Sequence, residues 1–399
     1  MQVVRAMAKP TDGEDRDRRQ SALYSHAPPI RQREGFRSHG GRGAIMRLIE
    51  APSRRKDALT ISLADARGGT MTEDPDAGRI AHHRPPSGMA SPRFSGVASF
   101  MRLPILAPAE APGRIDIGLV GIPFDGATTN RPGARLGPRG IREASTGTRA
   151  RNAATGIAPY DLAACADLGD VCINPIDVAA TAARIEAFYA PLAAAGIVPL
   201  SVGGDHFVTY PVLRALGRDR PLGLVHIDAH SDTDDGQYDG SRLTHGTPFR
   251  RAIEDGVLDP GRMIQIGLRG SVDAADELDW ARAQGVRIVP MDEVAMRGLP
   301  AVAAEARAVI GAGPAYLSFD IDALDPAYAP GTGTPEMGGF TSREALFLVR
   351  GLSGLDFVGA DLVEVAPPLD PSGITALAGA TLAFEILCLL AQAVAARRN

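Results

Sequence analysis

The chain has 399 residues, of which 45% are hydrophobic and 5% aromatic, with a formal net charge of -5. That length buries a large core, and the mild acidic balance points to no nucleic acid or membrane partner. The charge is uneven: residues 1–100 carry 17 Lys+Arg and 11 Asp+Glu, leaving 25 and 36 for the other 299. Both lysines, Lys9 and Lys56, lie in the first stretch, so any cation the remainder offers a ligand must be arginine or metal. Cys165, Cys172 and Cys388 are unevenly spaced without a CxxC, as expected of structural thiols in a reducing, cytoplasmic setting.

Residues 1–90 lack sustained periodicity and are rich in Arg, Gly, Ser, Pro and His, with runs such as Asp15-Arg16-Asp17-Arg18-Arg19. This texture predicts a disordered N-terminal extension, or sequence upstream of a true start at Met71 or Met89. Asp12, Glu14, Asp15 and Asp17 speak against an organelle-targeting leader. His26, His39, His82 and His83 read as solvated tail residues.

From residue 91 onward apolar runs alternate with amphipathic stretches. Strands are predicted at 115–121, 197–202, 222–227, 263–267, 286–289, 315–319 and 357–363. An Ala-rich helix is expected over 179–196, and others over 274–284 and 342–351. The last has Thr341 as cap, Glu344 three residues on and Gly351 at its end. The Ala/Leu-rich end, 376–396, contains Thr381 and Glu385 and reads as a buried terminal helix. Strand, helix, strand over 300 residues predicts one doubly wound, mostly parallel sheet, with ligands at the carboxyl ends of its strands.

The chemistry-bearing residues follow that rule. Gly203-Gly204-Asp205-His206 follows one strand, with the glycines allowing a tight turn that brings His206 to the sheet's rim. Asp228, His230 and Asp232 follow the next, on one side if the segment stays extended. Asp320 and Asp322 follow a third and Glu364 a fourth. A lone His or a lone DxD is usually a solvated or hydrogen-bonded residue. Six such groups at apolar strand ends would repel and pay for desolvation unless a dication held them. Mixed His and carboxylate ligands suit Mn, with Zn, Co, Ni or Fe as alternatives. His226, two residues before Asp228, reads as a buried hydrogen-bonded histidine. His245, in the loop Thr244-His245-Gly246-Thr247-Pro248, could carry a proton.

These segments together resemble the arginase–agmatinase (ureohydrolase) family. The matching pieces are Gly203-Gly204-Asp205-His206, Asp228-Ala229-His230-Ser231-Asp232, His245-Gly246, and the stretch from Ser318 to Pro326. Gly331-Thr332-Gly333-Thr334-Pro335-Glu336 and Asp361-Leu362-Val363-Glu364 fit too. The run Thr129–Pro138 looks like the agmatinase branch. The resemblance covers about residues 94–395. It implies a three-layer α/β/α fold with a mostly parallel sheet of about eight strands. It also implies two manganese ions, one held by His206, Asp228, Asp232 and Asp320, the other by Asp228, His230, Asp320 and Asp322. Glu364 would hold the guanidinium of a small guanidino substrate, Asp232 would relay a proton, and His245 would pass it to solvent. The products would be urea and an amine, and the assembly a homo-oligomer, trimeric or hexameric.

The substrate is less defined. Arginases carry an Asn two residues after this Asp-rich motif and Ser-Gly-Asn before the loop histidine. This chain has Asp234 there, and Ser241-Arg242-Leu243-Thr244 before His245, so arginine is not the expected substrate. Agmatine, with its distal ammonium, would suit Asp234, Asp235 or Glu336 and ranks first. Guanidinobutanoate or guanidinopropanoate would suit Arg242 or Arg131, with Asn130 also in the substrate loop, and free guanidine ranks third. A metal-dependent deacetylase on a related fold is a different reaction class. Those sites use one zinc, whereas His206 with Asp322 completes a second metal position here.

Overall fold

The computed structural model describes residues 75–272, 274 and 276–398. Eight strands form one sheet: β1 Ile117–Gly121, β2 Cys165–Asp170, β3 Val198–Val202, β4 Leu222–Ile227, β5 Leu258–Ile266, β6 Arg287–Val289, β7 Ala315–Asp320 and β8 Phe357–Val363. Their spatial order is β2-β1-β3-β8-β7-β4-β5-β6, and every pairing is parallel. Side-chain alternation feeds two separate cores, one on each face of the sheet. Leu119, Leu200, Val225, Ile264 and Leu317 join one core. Val120, Leu168, Leu224, Met263 and Tyr316 join the other.

The helices Gly137–Ser145, Leu299–Ile310, Ser342–Gly351 and Ile374–Arg398 supply the first core. Helices Val178–Ala194, Thr209–Leu216 and Pro248–Glu254 supply the second. The capping box at Thr341 forms as its sequence predicts: Thr341 Oγ1 accepts the Glu344 amide at 3.2 Å, and Glu344 accepts the Thr341 amide at 2.9 Å. Helix Ile374–Arg398 is long and apolar enough to cross a membrane by composition. It is a core helix, with 78% of its most apolar window buried inside the fold. Its Glu385 is buried beneath Arg350 and accepts Asn152 Nδ2 at 2.7 Å.

The spacing did not predict β2. Cys165-Ala166-Asp167-Leu168-Gly169-Asp170 carries two acids, but Asp167 is buried because Arg142 grips it with two nitrogens, at 2.9 and 3.0 Å. An ion pair that closes only in three dimensions hid a strand. The predicted helix over 274–284 shortens to Asp279–Gln284.

A helix, Pro75–His82, precedes residue 91, where the folded domain was expected to begin; residues 1–74, including His26 and His39, lie outside the described residues. Helix Pro75–His82 docks through Arg79, whose Nη1 is 2.6 Å from Asp116 Oδ1 just before β1. His83 is buried rather than solvated, and its carbonyl accepts the Cys165 amide at 3.3 Å.

The order of the four central strands positions the site. β3, β8, β7 and β4 are consecutive neighbours, so the segments leaving their carboxyl ends emerge side by side. Gly203 and Gly204 both take positive φ, +81° and +84°. A Cβ on Gly204 would lie 2.7 Å from the Ile122 carbonyl oxygen and 3.0 Å from that of Phe124, backbone atoms that cannot swing away. Gly204→Ala is therefore expected to cost about 1–3 kcal/mol of stability and to lower metal content by displacing His206. Urea unfolding and metal analysis of the purified variant would check both.

Candidate active site

All six expected ligands converge. His206 opens a short 3-10 turn, His206–Val208, that buries its ring. Its Nδ1 lies 3.0 Å from Asp228 Oδ2, 2.9 Å from Asp232 Oδ2 and 3.1 Å from Asp320 Oδ2. Despite those neighbours Nδ1 has no hydrogen-bond partner. Ring nitrogen and carboxylates point at a common centre rather than at one another, the arrangement a cation requires. A second cluster joins Asp228, His230 and Asp322, with His230 Nδ1 3.0 Å from Asp322 Oδ2 and 3.5 Å from Asp228 Oδ1. Asp228 belongs to both. Asp320 touches both sides, since its Oδ1 accepts the Asp322 amide at 2.8 Å.

The segment after β4 does not stay extended. Asp232 takes a left-handed φ of +51°, which swings its carboxylate back towards His206. Glu364 does the same after β8, at +62°. Non-glycine residues in that region cost about 1–3 kcal/mol each and persist where the surroundings impose them.

Neighbouring residues fix the tautomers. Ser318 Oγ donates to Asp361 Oδ1 at 2.6 Å, so its lone pair is free to accept His206 Nε2–H at 2.8 Å. Nδ1 of His206 then keeps its lone pair for a metal. Asp361 also accepts Thr209 and Tyr316 hydroxyls, at 2.7 and 2.9 Å. The signal for this device was a lone acid inside the apolar run 357–363. His226 is the buried hydrogen-bonding histidine expected. Gln265 Nε2 is 3.0 Å from its Nδ1, leaving Nε2–H to donate to Asp228 Oδ2 at 2.7 Å.

Glu364 is buried beside the cluster and accepts the His206 amide at 2.9 Å. Its Oε1 is 3.2 Å from His245 Nδ1. The Thr129 amide donates to His245 Nε2 at 3.2 Å, which fixes the neutral ring with its proton on Nδ1. Burial opposes protonation of His245, but the Glu364 carboxylate outweighs it and pushes the ring up to about 9. On taking a second proton the ring would turn from the Thr129 amide to its hydroxyl, 2.6 Å from Nε2.

A cavity of about 760 Å³ opens over the clusters, lined by His230, Asp232, His245, Asp320, Asp322 and loop residues that include Asp234, Asp235 and Tyr238. Arg242, expected to meet a substrate carboxylate, does not line it. Its Nη2 is 2.5 Å from Glu254 Oε2 and 3.8 Å from Asp235 Oδ1, and its side chain faces the outer surface. Asn130 and Arg131 do not line it either; they reach the Gly333 carbonyl at 3.5 and 3.1 Å. Tyr238, which does line it, carried no motif to mark it, whereas Thr129, also in the lining, opens the run Thr129–Pro138.

Burial and the neighbouring acids push Asp320 well up, and Asp322 up to about 6. Burial would also raise Asp228, but His226, His206 and His230 hold it well below the usual range. The ring of His206 is raised by Asp228, Asp232 and Asp320 against the opposing effect of burial. Without metal, the raised carboxyls hold protons that the unfolded chain has released, so stability is lost as pH climbs through about 6. The raised histidine likewise contributes stability that fades as pH rises. Asp228 titrates below this window. A metal replaces those protons. Chelation is therefore expected to lower the melting temperature, and the gap between loaded and stripped protein should widen from about pH 5 to about pH 8, reaching on the order of 5–10 °C. Calorimetry across that range would measure it.

Comparison with known proteins agrees with this geometry. Residues 115–389 match the Arginase family. The chain is 57% identical to a guanidinopropionase of Pseudomonas aeruginosa over 314 residues, 79% of this chain and 98% of the relative. It is 50% identical to a mitochondrial agmatinase of Gallus gallus over 307 residues, 77% of this chain and 89% of the relative. The solved proclavaminate amidino hydrolase of Streptomyces clavuligerus superposes with a TM-score of 0.73 at 42% identity, covering 76% of this chain and all of the other. With its all-parallel eight-stranded sheet and paired clusters sharing Asp228, the chain belongs to the arginase family and is a ureohydrolase acting on linear amidines.

Proposed function

We propose that the substrate is a guanidino acid, with guanidinopropanoate ahead of guanidinobutanoate, and that agmatine is a poorer substrate. The observation carrying this reading is the neutralisation of Asp235 in the cavity wall. Asp235, a candidate partner for a distal ammonium, is already held by three arginines. Its Oδ1 lies 3.1 Å from Arg251, 3.4 Å from Arg250 and 3.8 Å from Arg242. Arg251 first, with the other two, keeps this carboxyl below its ordinary value. Glu254 is the second acid in the cluster, so three guanidiniums outnumber two carboxylates and Asp235, the member that lines the cavity, stays neutralised. Asp234 accepts Gln237 Nε2 at 2.8 Å. With Asp235 engaged, a tail ammonium loses its best partner in the wall, and the 57% identity to a guanidinopropionase supports a guanidino acid.

Tyr238 supplies a hydroxyl at the cavity mouth. The residue is exposed, takes a left-handed φ of +41°, and its hydroxyl donates to the Thr129 carbonyl at 3.3 Å, next to His245. That hydroxyl can turn to a carboxylate. The clusters fit two divalent ions, one on His206, Asp228, Asp232 and Asp320 and one on Asp228, His230, Asp320 and Asp322. Manganese is the proposed native metal and Ni, Co, Fe or Zn the alternatives. Such a pair supplies Lewis acidity and makes water a nucleophile near neutral pH.

The chain's residues do the rest. Glu364 holds the planar guanidinium by charge-assisted hydrogen bonds and fixes its carbon against the cluster. This engages the carboxylate that holds His245 Nδ1–H, and so couples substrate binding to the histidine. Asp232 carries a proton towards the departing amine nitrogen. His245, between Glu364 and Thr129 at the cavity wall, exchanges a second proton with solvent, so that the amine leaves as an ammonium. The amine that leaves keeps the distal carboxylate, so the products are urea and an amino acid.

Urea release from guanidinopropanoate, guanidinobutanoate, agmatine, arginine and guanidine by manganese-loaded enzyme tests the substrate. The guanidino acids are expected to lead in kcat/KM; a lead for agmatine or guanidine would overturn the reading. Glu364→Gln should keep both metals and lower kcat/KM by about 100-fold or more, because it leaves the guanidinium without its counter-charge. Tyr238→Phe should raise KM for guanidino acids by about tenfold while changing kcat little.

A further inference from the structure

A second cavity, of about 380 Å³, lies apart from the catalytic one and shares no lining residue with it. Met101 and Tyr160 line it, and Tyr160 belongs to the short helix Pro159–Leu162 that leads into the amino end of β2. The cavity is therefore at the end of the sheet opposite the metal ligands. Five arginines line it, Arg84, Arg93, Arg102, Arg149 and Arg151, against one acid, Asp161. Asp161 is already shared by Arg84, at 3.0 Å, and Arg151, at 3.2 Å. Among the described residues Arg93, Arg102 and Arg149 have no carboxylate partner; Arg102 only reaches the Pro86 carbonyl, at 3.5 Å. The Arg93 guanidinium lies against the bare Cα of Gly88, where any Cβ would collide with it.

Arg102, Arg149 and Arg151 come from residues 101–399, where 36 acids outnumber 25 basic residues, so their gathering does not follow from composition. Guanidiniums gathered without counter-ions repel, and a multiply charged anion relieves that. A guanidinium fork meets two phosphate oxygens at once. Pro85, Pro86 and Met101 add an apolar wall. We propose that this cavity binds an oligophosphate, either inorganic or as the phosphate chain of a nucleotide, through Arg93, Arg102 and Arg149. Because the site is at the amino ends of the strands, occupancy acts on stability and leaves the chemistry at their carboxyl ends unchanged.

The test is titration calorimetry of the full metal-loaded chain with inorganic triphosphate and, separately, adenosine triphosphate, at fixed ionic strength. Saturable binding of one ligand per chain is expected, weakened about tenfold or more in Arg93→Ala/Arg149→Ala. That variant keeps the metal site, so any heat from metal chelation is common to both proteins and cancels in the comparison. Its circular dichroism and urea release should match the parent. Tighter binding of the nucleotide would assign it as the source; equal binding would assign the phosphate chain alone. No saturable binding of either, or equal affinity in parent and variant, would overturn the site.

Discussion

Like charges held together out of water are the constraint on which the rest of this molecule depends. Asp228, Asp320 and Asp322 are all buried within one cluster, and each alone would favour taking a proton over staying ionised there. A parallel sheet meets that constraint. All of its strands end at one edge, and of four adjacent ones β3, β7 and β4 end in the clustered ligands and β8 in Glu364 beside them. An antiparallel arrangement would send alternate strand ends to opposite edges and divide the ligands.

The groups behind the ligands are as constrained as the ligands. His206 presents a bare nitrogen only because Ser318 takes its other one, and Ser318 is oriented by Asp361. Asp228 keeps one oxygen directed by His226, which is in turn fixed by Gln265 from β5. Each chain of bonds starts in a strand interior and ends at the metal position. The sheet therefore transmits its rigidity to the site, and the two strained acids, Asp232 and Glu364, are held by their bonded neighbours.

Legibility in the sequence followed the range of the interaction. The ligands could be read because each follows an apolar run directly, and strand period and turn glycines are local. The capping box at Thr341 was readable for the same reason. β2 was not, because its Asp167 is neutralised by Arg142, 25 residues earlier in the chain. Helix Pro75–His82 was not, because its anchor is Asp116. Arg242 had the right charge in the right loop, but Glu254 claims it from the next helix. Motifs report what a residue could do; long-range partners decide whether it is free to do it.

That distinction separates reaction from substrate. The reacting end depends on buried groups whose partners are fixed by strand order, and on the proposed reading the same centre serves any guanidinium held by Glu364. The distal end depends on loop charges, and these are coupled. Removing Arg242 would not simply delete a cation. It would leave Glu254 with Arg250 and Arg251 alone, draw those two from Asp235, and free that acid towards the cavity. One substitution outside the cavity would thus take that cluster from one net positive charge to none and, on the proposed reading, weaken its preference against a tail ammonium. On the proposed reading the selecting charge is set by a network of pairs rather than by a single contact, and it can change without any change at the metal ligands.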